Sequence, residues 1–171
     1  MEEEGEEEVN AYVLGNGPSR RLGYVYPAHG PLIGCNYSYK EGYEFDMIAS
    51  IDAKPTAAIS KTGTFRVGLN DGLPNLGNGM GYDSGRLAIY ETDDYYDPDK
   101  IFLFGFDMTG GNHYPTATNQ DFQGPKNYHL AWQALAGVVE ADLYIVREGR
   151  HKYEKELMGY YEFITHEEFE R

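Results

Sequence analysis

Five short apolar runs divide the chain and are typical of β-strands. Each is five to seven residues long and ends in small or polar residues, which suits a strand better than a helix. The runs carry apolar residues at successive positions, as expected for strands that are buried on both faces of a parallel sheet. They cover residues 11–15 (AYVLG), 31–35 (PLIGC), 46–51 (DMIASI), 100–106 (KIFLFGF) and 141–146 (ADLYIV).

Helical patterns lie between the later runs. Ser84 is a predicted cap for a helix over residues 85–96, and a second helix is predicted over residues 127–137. In the second helix Leu130, together with Ala134 and Leu135, forms the expected apolar face, and Gly137 ends the helix. This alternation predicts an α/β fold with an open, mostly parallel, Rossmann-like sheet and helices on both faces. In such a sheet the ligand site lies at the carboxyl ends of the strands.

The length of 171 residues predicts a single domain with flanking segments. Residues 1–9 contain six glutamates and are expected to form a disordered acidic tail. The Rossmann-like domain is predicted over residues 10–146, followed by a charged extension over 147–171 that packs on or near it. A glycine-rich stretch over 63–83 is expected to be a loop around a short strand at 65–69.

Charge and composition narrow the class of protein. The chain has 14 basic and 28 acidic residues, a formal charge of −14 that disfavours bulk binding to nucleic acid. Its one cysteine, Cys35, excludes an intramolecular disulfide, favours a reducing compartment and is expected to be a buried structural thiol. No apolar segment approaches the roughly 18 residues needed to span a membrane. Without the features of a signal peptide, the expected location is the cytoplasm.

The turn "GNGPS" at residues 15–19 follows the first predicted strand and is a candidate binding element. Converging backbone amides can form a nest for an anion, Ser19 can add a hydroxyl, and Asn16 can both donate and accept hydrogen bonds. The turn matches neither the dinucleotide-binding nor the phosphate-loop pattern. From these residues alone, a nucleotide site and an ordinary tight turn are both open.

Three segments in order along the chain carry a resemblance to a known family. "VLGNGPS" at 13–19, "GCNYSY" at 34–39 and "DSGRLAIYETDDYYDPDKIFLFGFDM" at 83–108 resemble the bacterial sialyltransferases of glycosyltransferase family 42. They are similar also to the wider Rossmann-like group that includes MptE-like pterin diphosphokinases. The resemblance covers roughly residues 11–137.

The resemblance implies a nucleotide-sugar site, with a CMP-sugar as the favoured donor. Gly15, Asn16 and Gly17 would meet the phosphate and ribose, and Asn36 would lie beside the nucleotide. Further residues are expected at the same site, namely Ser19, Asp52, Ser84 and Gly85. Asp52 stands where the family usually has an asparagine, and Ser84 and Gly85 lie at a predicted helix N-terminus. The helix N-terminus independently suits an anion.

The chemistry implied by the family is displacement at the anomeric carbon with inversion and without a metal. His129 is the candidate base and Tyr114 the candidate phosphate ligand, roles that suit an imidazole and a hydroxyl donor. The donor is a substrate, so no cofactor is expected. No metal site is predicted either, because the acidic stretch 91–99 lacks the pattern of a calcium loop and no zinc-helix spacing occurs.

Other interpretations remain open at this stage. His129 precedes Trp132 by about one helical turn and could be a structural histidine. Asp107 could brace its loop instead of contacting a ligand. Met108 and Thr109 stand where the family has a tyrosine. A non-catalytic accessory protein, such as a viral one, that binds a nucleotide or a protein partner is therefore the second hypothesis. A pterin or nucleotide diphosphokinase is a third, less supported because no acidic metal pair is evident. The sequence predicts no oligomeric state.

Overall fold

The structure is a computed structural model that describes residues 5–17, 19, 30–35, 44–51, 56–57, 66–67, 83–108 and 128–170. Within these ranges the strands are β1 (Asn10–Leu14), β2 (Leu32–Cys35), β3 (Met47–Ala49), β4 (Arg66–Val67), β5 (Lys100–Phe104), β6 (Asp142–Arg147) and β7 (Glu162–Thr165). The helices are α1 (Ser84–Tyr96), α2 (Tyr128–Ala136), α3 (Glu154–Leu157) and α4 (His166–Glu170). In the part of the chain that is described, no helix is long and apolar enough to cross a membrane.

All seven strands form one sheet in the order β4-β3-β2-β1-β5-β6-β7, and every neighbouring pair is parallel. The predicted open, parallel α/β fold is therefore confirmed. The five apolar runs correspond to five of the strands, and β4 lies inside the stretch predicted as a short strand. β7 lies in the charged extension, for which the sequence leaves open an amphipathic helix or a strand and helix.

The core has two parts because successive side chains of a strand point to opposite faces of the sheet. Ala11 and Val13 belong to the larger part, which packs against α1, α2 and Leu157 of α3. Tyr12 and Leu14 belong to the smaller part, against which Phe169 of α4 packs. Helices consequently cover both faces, as expected for strands that are apolar at successive positions.

The start of α1 differs by one residue from the predicted cap. Asp83, not Ser84, is the N-cap, and its Oδ1 accepts a hydrogen bond from the backbone amide of Arg86 at 2.8 Å. Aspartate and serine are both good caps, so the sequence DSG offered two adjacent candidates. The helix ends at Asp97, which adopts a left-handed conformation with φ 47°.

The buried face of α2 also differs from the prediction. Tyr128, Ala131, Trp132 and Leu135 are buried, whereas Leu130 is 39% exposed. The buried set follows helical spacing from Tyr128, so the aromatic residues set the orientation of the helix. The predicted end at Gly137 is confirmed, because its amide donates to the Gln133 carbonyl at 3.2 Å and the helix stops there.

Candidate functional site

The centre of the sheet contains a topological switch point. β1 and β5 are neighbours, β2 to β4 extend from β1 on one side, and β6 and β7 extend from β5 on the other. In open α/β sheets, ligands bind in the crevice at the carboxyl ends of the two strands where the order reverses. The residues after β1 and after β5 are therefore the first candidates for a site.

The glycine turn after β1 is hydrogen-bonded to the turn after β5. The Gly15 amide donates to the Phe104 carbonyl at 2.7 Å, and the Gly17 amide donates to the Gly105 carbonyl at 2.7 Å. These two amides are thus engaged with protein carbonyls, in contrast to the expected nest that holds an anion. Contact of Gly15, Asn16 and Gly17 with a nucleotide stays a prediction.

Ser19 and Asp107 fasten the same two turns together, and we call this pair the Ser19–Asp107 clamp. The Ser19 backbone amide and Oγ donate to Asp107 Oδ2 at 3.1 and 2.9 Å. In turn, Ser19 Oγ accepts from the Gly105 amide at 3.1 Å. Ser19 is buried. Asp107 thus has the bracing role that the sequence left as one of two alternatives.

The glycines at this edge allow close packing of three elements. A Cβ at Gly15 would lie 2.6 Å from the Gly105 carbonyl oxygen, and one at Gly17 would lie 2.7 Å from the same atom. A Cβ at Gly85 would lie 2.8 Å from a ring carbon of Phe106. The glycines of "GNG" and "SG" therefore keep the β1 turn, the β5 turn and the start of α1 in contact.

Asp83, Arg86 and Tyr128 form a polar cluster, the Asp83 cluster, where α1 and α2 begin. Asp83 Oδ2 accepts from Arg86 Nε at 2.9 Å and from the Tyr128 hydroxyl. The Arg86 guanidinium also lies 5.9 Å from the centre of the Tyr128 ring. Arg86 is almost fully buried, while the Asp83 side chain is 32% exposed. Burial first, and then the Asp83 carboxylate, raise the pKa of Tyr128, which keeps its proton.

Ser84 links this cluster to the neighbouring strands. Its Oγ accepts a hydrogen bond from the Ile51 amide at 3.2 Å, and its carbonyl accepts one from Cys35 Sγ at 3.7 Å. Ser84 and Cys35 are both buried. The predicted structural thiol is thus in contact with the start of α1, and contact of Ser84 and Gly85 with a nucleotide stays a prediction.

His129, the candidate base, lies in the first turn of α2. Its ring centre is 5.4 Å from that of Tyr153, and its Nδ1 is buried with no hydrogen-bond partner among the described residues. The structure places it one residue after Tyr128 of the Asp83 cluster. Its catalytic role stays a prediction, and Asn36, Asp52 and Tyr114 lie outside the described residues.

His151 is a residue at this edge that the sequence did not single out. Its Nδ1 accepts from the Tyr153 amide at 3.0 Å, so the neutral ring carries its proton on Nε2, which donates to the Phe106 carbonyl at 2.8 Å. Burial lowers the pKa of His151, which favours this neutral form. The sequence signal that could have identified His151 is its position four residues after β6, because residues that follow a strand lie at the carboxyl edge of the sheet, here beside the turn after β5.

The described residues contain no group of three or more histidine, cysteine, aspartate or glutamate side chains that could hold a metal ion. Metal-independent chemistry remains a prediction of the sequence.

Comparison with known proteins gives no family. No family model and no curated protein matches the sequence. Among solved structures, the chain is similar to a protein from Lactobacillus plantarum whose crystal structure was determined in a structural genomics programme. The two are 23% identical with a TM-score of 0.36, and the match covers 61% of this chain and 45% of that protein.

Proposed function

We propose that the protein binds a nucleotide or nucleotide sugar, with a CMP-sugar favoured, at the carboxyl edge of β1 and β5, and transfers the sugar with inversion. The observation that carries the proposal is the switch point itself, where five hydrogen bonds join the turns after β1 and β5. Such a crevice is the general ligand position of open α/β sheets. Because the two turns are hydrogen-bonded to each other, the surface that they would present to a ligand is already in place before the ligand binds.

The two helix N-termini at this edge support an anionic ligand group. α1 and α2 both begin beside the Asp83 cluster, and the N-terminus of a helix favours negative charge. The buried Arg86 guanidinium lies beside these helix starts and is paired with the Asp83 carboxylate. A phosphate at the helix starts and a ribose beside Asn16 would occupy the two halves of the crevice.

The proposed transfer requires one base and one leaving group. The acceptor hydroxyl oxygen forms a bond to the anomeric carbon while the bond from that carbon to the phosphate oxygen breaks. The hydroxyl proton passes to His129, and the nucleoside monophosphate leaves with the bonding electron pair. His129 supports this assignment by its place in the first turn of α2, at the edge where the nucleotide is proposed to bind.

A second candidate function is binding without catalysis. The polar side chains in the two turns and beside them are engaged within the protein: Ser19 and Asp107 are hydrogen-bonded to each other, and His151 donates to the Phe106 carbonyl. A platform of this kind binds a ligand without requiring a reactive group. The same crevice would then hold a nucleotide as an accessory or regulatory ligand.

Thermal unfolding with a panel of nucleotides and nucleotide sugars tests the proposal. At a ligand concentration 100 times Kd, binding adds about 2.7 kcal/mol to the free energy of unfolding. For a chain of this size this corresponds to a rise in Tm of roughly 5–10 °C. CMP and CMP-sugars are expected to produce the rise, and Asn16→Ala to reduce it, with Gly5→Ala as a control outside the site.

Donor hydrolysis and transfer then separate the two functions. His129→Ala is expected to abolish turnover and leave the CMP-induced rise in Tm unchanged. Binding without any turnover in the unaltered protein supports the non-catalytic function. The absence of a Tm rise with every nucleotide, together with no effect of Asn16→Ala, overturns both.

A further inference from the structure

A groove lies at the amino ends of β6 and β7, on the opposite edge of the sheet from the crevice. It has a volume of about 550 Å³ and is bounded by the first residues of both strands and by the turn that precedes β7. This volume is in the range of sites that hold a side chain or a small ligand. The groove residues named below are all described, and the proposed function does not use them.

Aromatic and apolar side chains form one part of the groove wall. Tyr144 and Phe163 come from the two strands, where their side chains lie on opposite faces of the sheet, and Tyr160 and Met158 come from the turn. Tyr160 is 50% exposed and Met158 is 66% exposed, which is unusual for neighbouring large apolar residues. The groove thus offers the exposed side chains of Tyr160 and Met158 to a partner.

The turn is held firmly, so the exposure of Tyr160 is built into the fold. The next residue, Tyr161, is buried, and its hydroxyl donates to the Trp132 carbonyl at 2.7 Å. Gly159, between Met158 and Tyr160, has a φ of 93°, a backbone conformation that residues with a side chain rarely adopt. Tyr161 therefore fixes the turn to α2 while Tyr160 points away from the core.

Carboxylates form the other part of the wall. Asp142, Glu154 and Glu162 line the groove, and none of the described lining residues is a lysine or an arginine. Arg147 lies 3.5 Å from Glu154 and offsets one of these charges. At the margin of the groove, Lys100 Nζ lies 5.8 Å from the centre of the Tyr144 ring. Asp142 and Glu162 are exposed, and the lining as a whole is negative.

We propose that this groove docks an arginine or lysine side chain from a basic segment of a partner protein. A cation is attracted both to aromatic faces and to carboxylates, and a guanidinium can use the two together. The exposed Met158 and Tyr160 at the rim favour a protein segment over a free cation, since methionine and tyrosine are enriched in protein interfaces. A basic side chain complements the carboxylates of the groove lining, and a basic segment also complements the formal net charge of −14 on the whole chain.

A capped heptapeptide with a central arginine flanked by leucines is the probe. Its binding to the isotope-labelled protein is followed by NMR, and the same peptide with neutral citrulline is the control ligand. We expect the arginine peptide to shift the amide signals of Gly159, Tyr160 and Glu162 and the citrulline peptide to shift none of them.

Two groove variants and one matched control decide the result. The double variant Asp142→Asn, Glu162→Gln removes charge, and Tyr160→Ala removes a ring without changing charge. Each is expected to weaken binding about tenfold, which corresponds to 1.4 kcal/mol. The control Asp94→Asn, Glu167→Gln removes two exposed carboxylates elsewhere and is expected to change affinity less than twofold.

Three outcomes overturn the proposal. Equal losses in the control and in the charge variant would mean a general attraction to an acidic protein. Free arginine binding as tightly as the peptide would mean a small-cation site without a protein partner. Signal shifts confined to residues outside the groove would place the peptide elsewhere. None of these readouts involves a nucleotide, so the proposed function is tested separately.

Discussion

Gly17 illustrates how one missing side chain sets the geometry of the crevice. A Cβ at this position would lie 2.7 Å from the Gly105 carbonyl oxygen and closer still to Asp107 Oδ2. Gly17→Ala is therefore expected to push the two turns apart and lower the free energy of unfolding by about 1–3 kcal/mol. Urea unfolding measures the change. Gly5→Ala, which meets nothing within 4 Å, is the control, and equal effects of the two substitutions would contradict the argument.

His151 gives the protein a predicted dependence on pH. Burial lowers its pKa below the ordinary value of 6.5, so the unfolded chain takes up this proton at a higher pH than the folded protein does. The contribution of neutral His151 is complete above pH 6.5. As the pH falls below 6.5 the free energy of unfolding decreases, until the folded-state pKa is also passed.

The substitution His151→Asn isolates this contribution. Between pH 7 and pH 5 the unaltered protein is expected to lose more stability than the variant in urea unfolding. His166→Asn, in α4 and partly exposed, is the matched histidine control. Equal pH slopes for the unaltered protein and His151→Asn would show that the buried ring does not carry the effect.

Residue-scale contacts of this kind could not be predicted from the sequence. The clamp joins Ser19 to Asp107, 88 positions apart, and no local pattern links them. The short motifs around both residues were nevertheless identified, because small residues directly after a strand are visible in the sequence. The sequence pattern thus indicated where the candidate site lies, whereas the hydrogen bonds at that place depend on the fold.

At the scale of elements, α1 and α2 are coupled through one carboxylate. Asp83 caps α1, pairs with the buried Arg86 and accepts from the Tyr128 hydroxyl of α2. Asp83→Asn retains a good cap but removes the carboxylate charge that pairs with the guanidinium at 2.9 Å. We expect it to lower the free energy of unfolding by about 1.5–3 kcal/mol. Tyr128→Phe, which removes one hydrogen bond, is expected to cost about 1 kcal/mol.

The double variant and a control from the same helix test this coupling. Because Asp83 and Tyr128 share a hydrogen bond, their effects in denaturant unfolding are expected to be non-additive. Asp94→Asn, an exposed carboxylate of α1, is expected to change stability by less than about 0.5 kcal/mol. Strict additivity, or a loss in Asp94→Asn as large as in Asp83→Asn, would contradict the assigned role.

Elements were predictable to different degrees for a physical reason. Central strands are apolar at successive positions, and this signal located five of them. The orientation of α2 was predicted wrongly at Leu130, because the aliphatic spacing was weighted over the aromatic residues that fill the core. β7 combines exposed Glu162 with buried Ile164 at the sheet edge, so it lacks the continuous apolar run of a central strand.

On the scale of the whole molecule, alternating strands and helices predicted a parallel sheet and a site at its carboxyl edge. The sheet is confirmed, and its order places β1 beside β5. The sequence could not supply that order, because pairing between distant strands leaves no local trace. Because all the strands are parallel, one edge of the sheet consists of strand carboxyl ends and the opposite edge of strand amino ends. We propose a nucleotide at the carboxyl edge and a basic protein segment at the amino edge.

The pairing of β1 with β5 also bears on how the chain acquires its structure during synthesis. Asn10 pairs with Lys100 and Leu14 with Phe104, so the middle of the sheet joins residues 90 positions apart. A ribosome adds about 5–20 residues per second, and the partner of β1 therefore emerges several seconds after β1 itself. Until then one side of the central strand has no neighbour. The centre of the sheet can therefore be completed only after β5 has been synthesised.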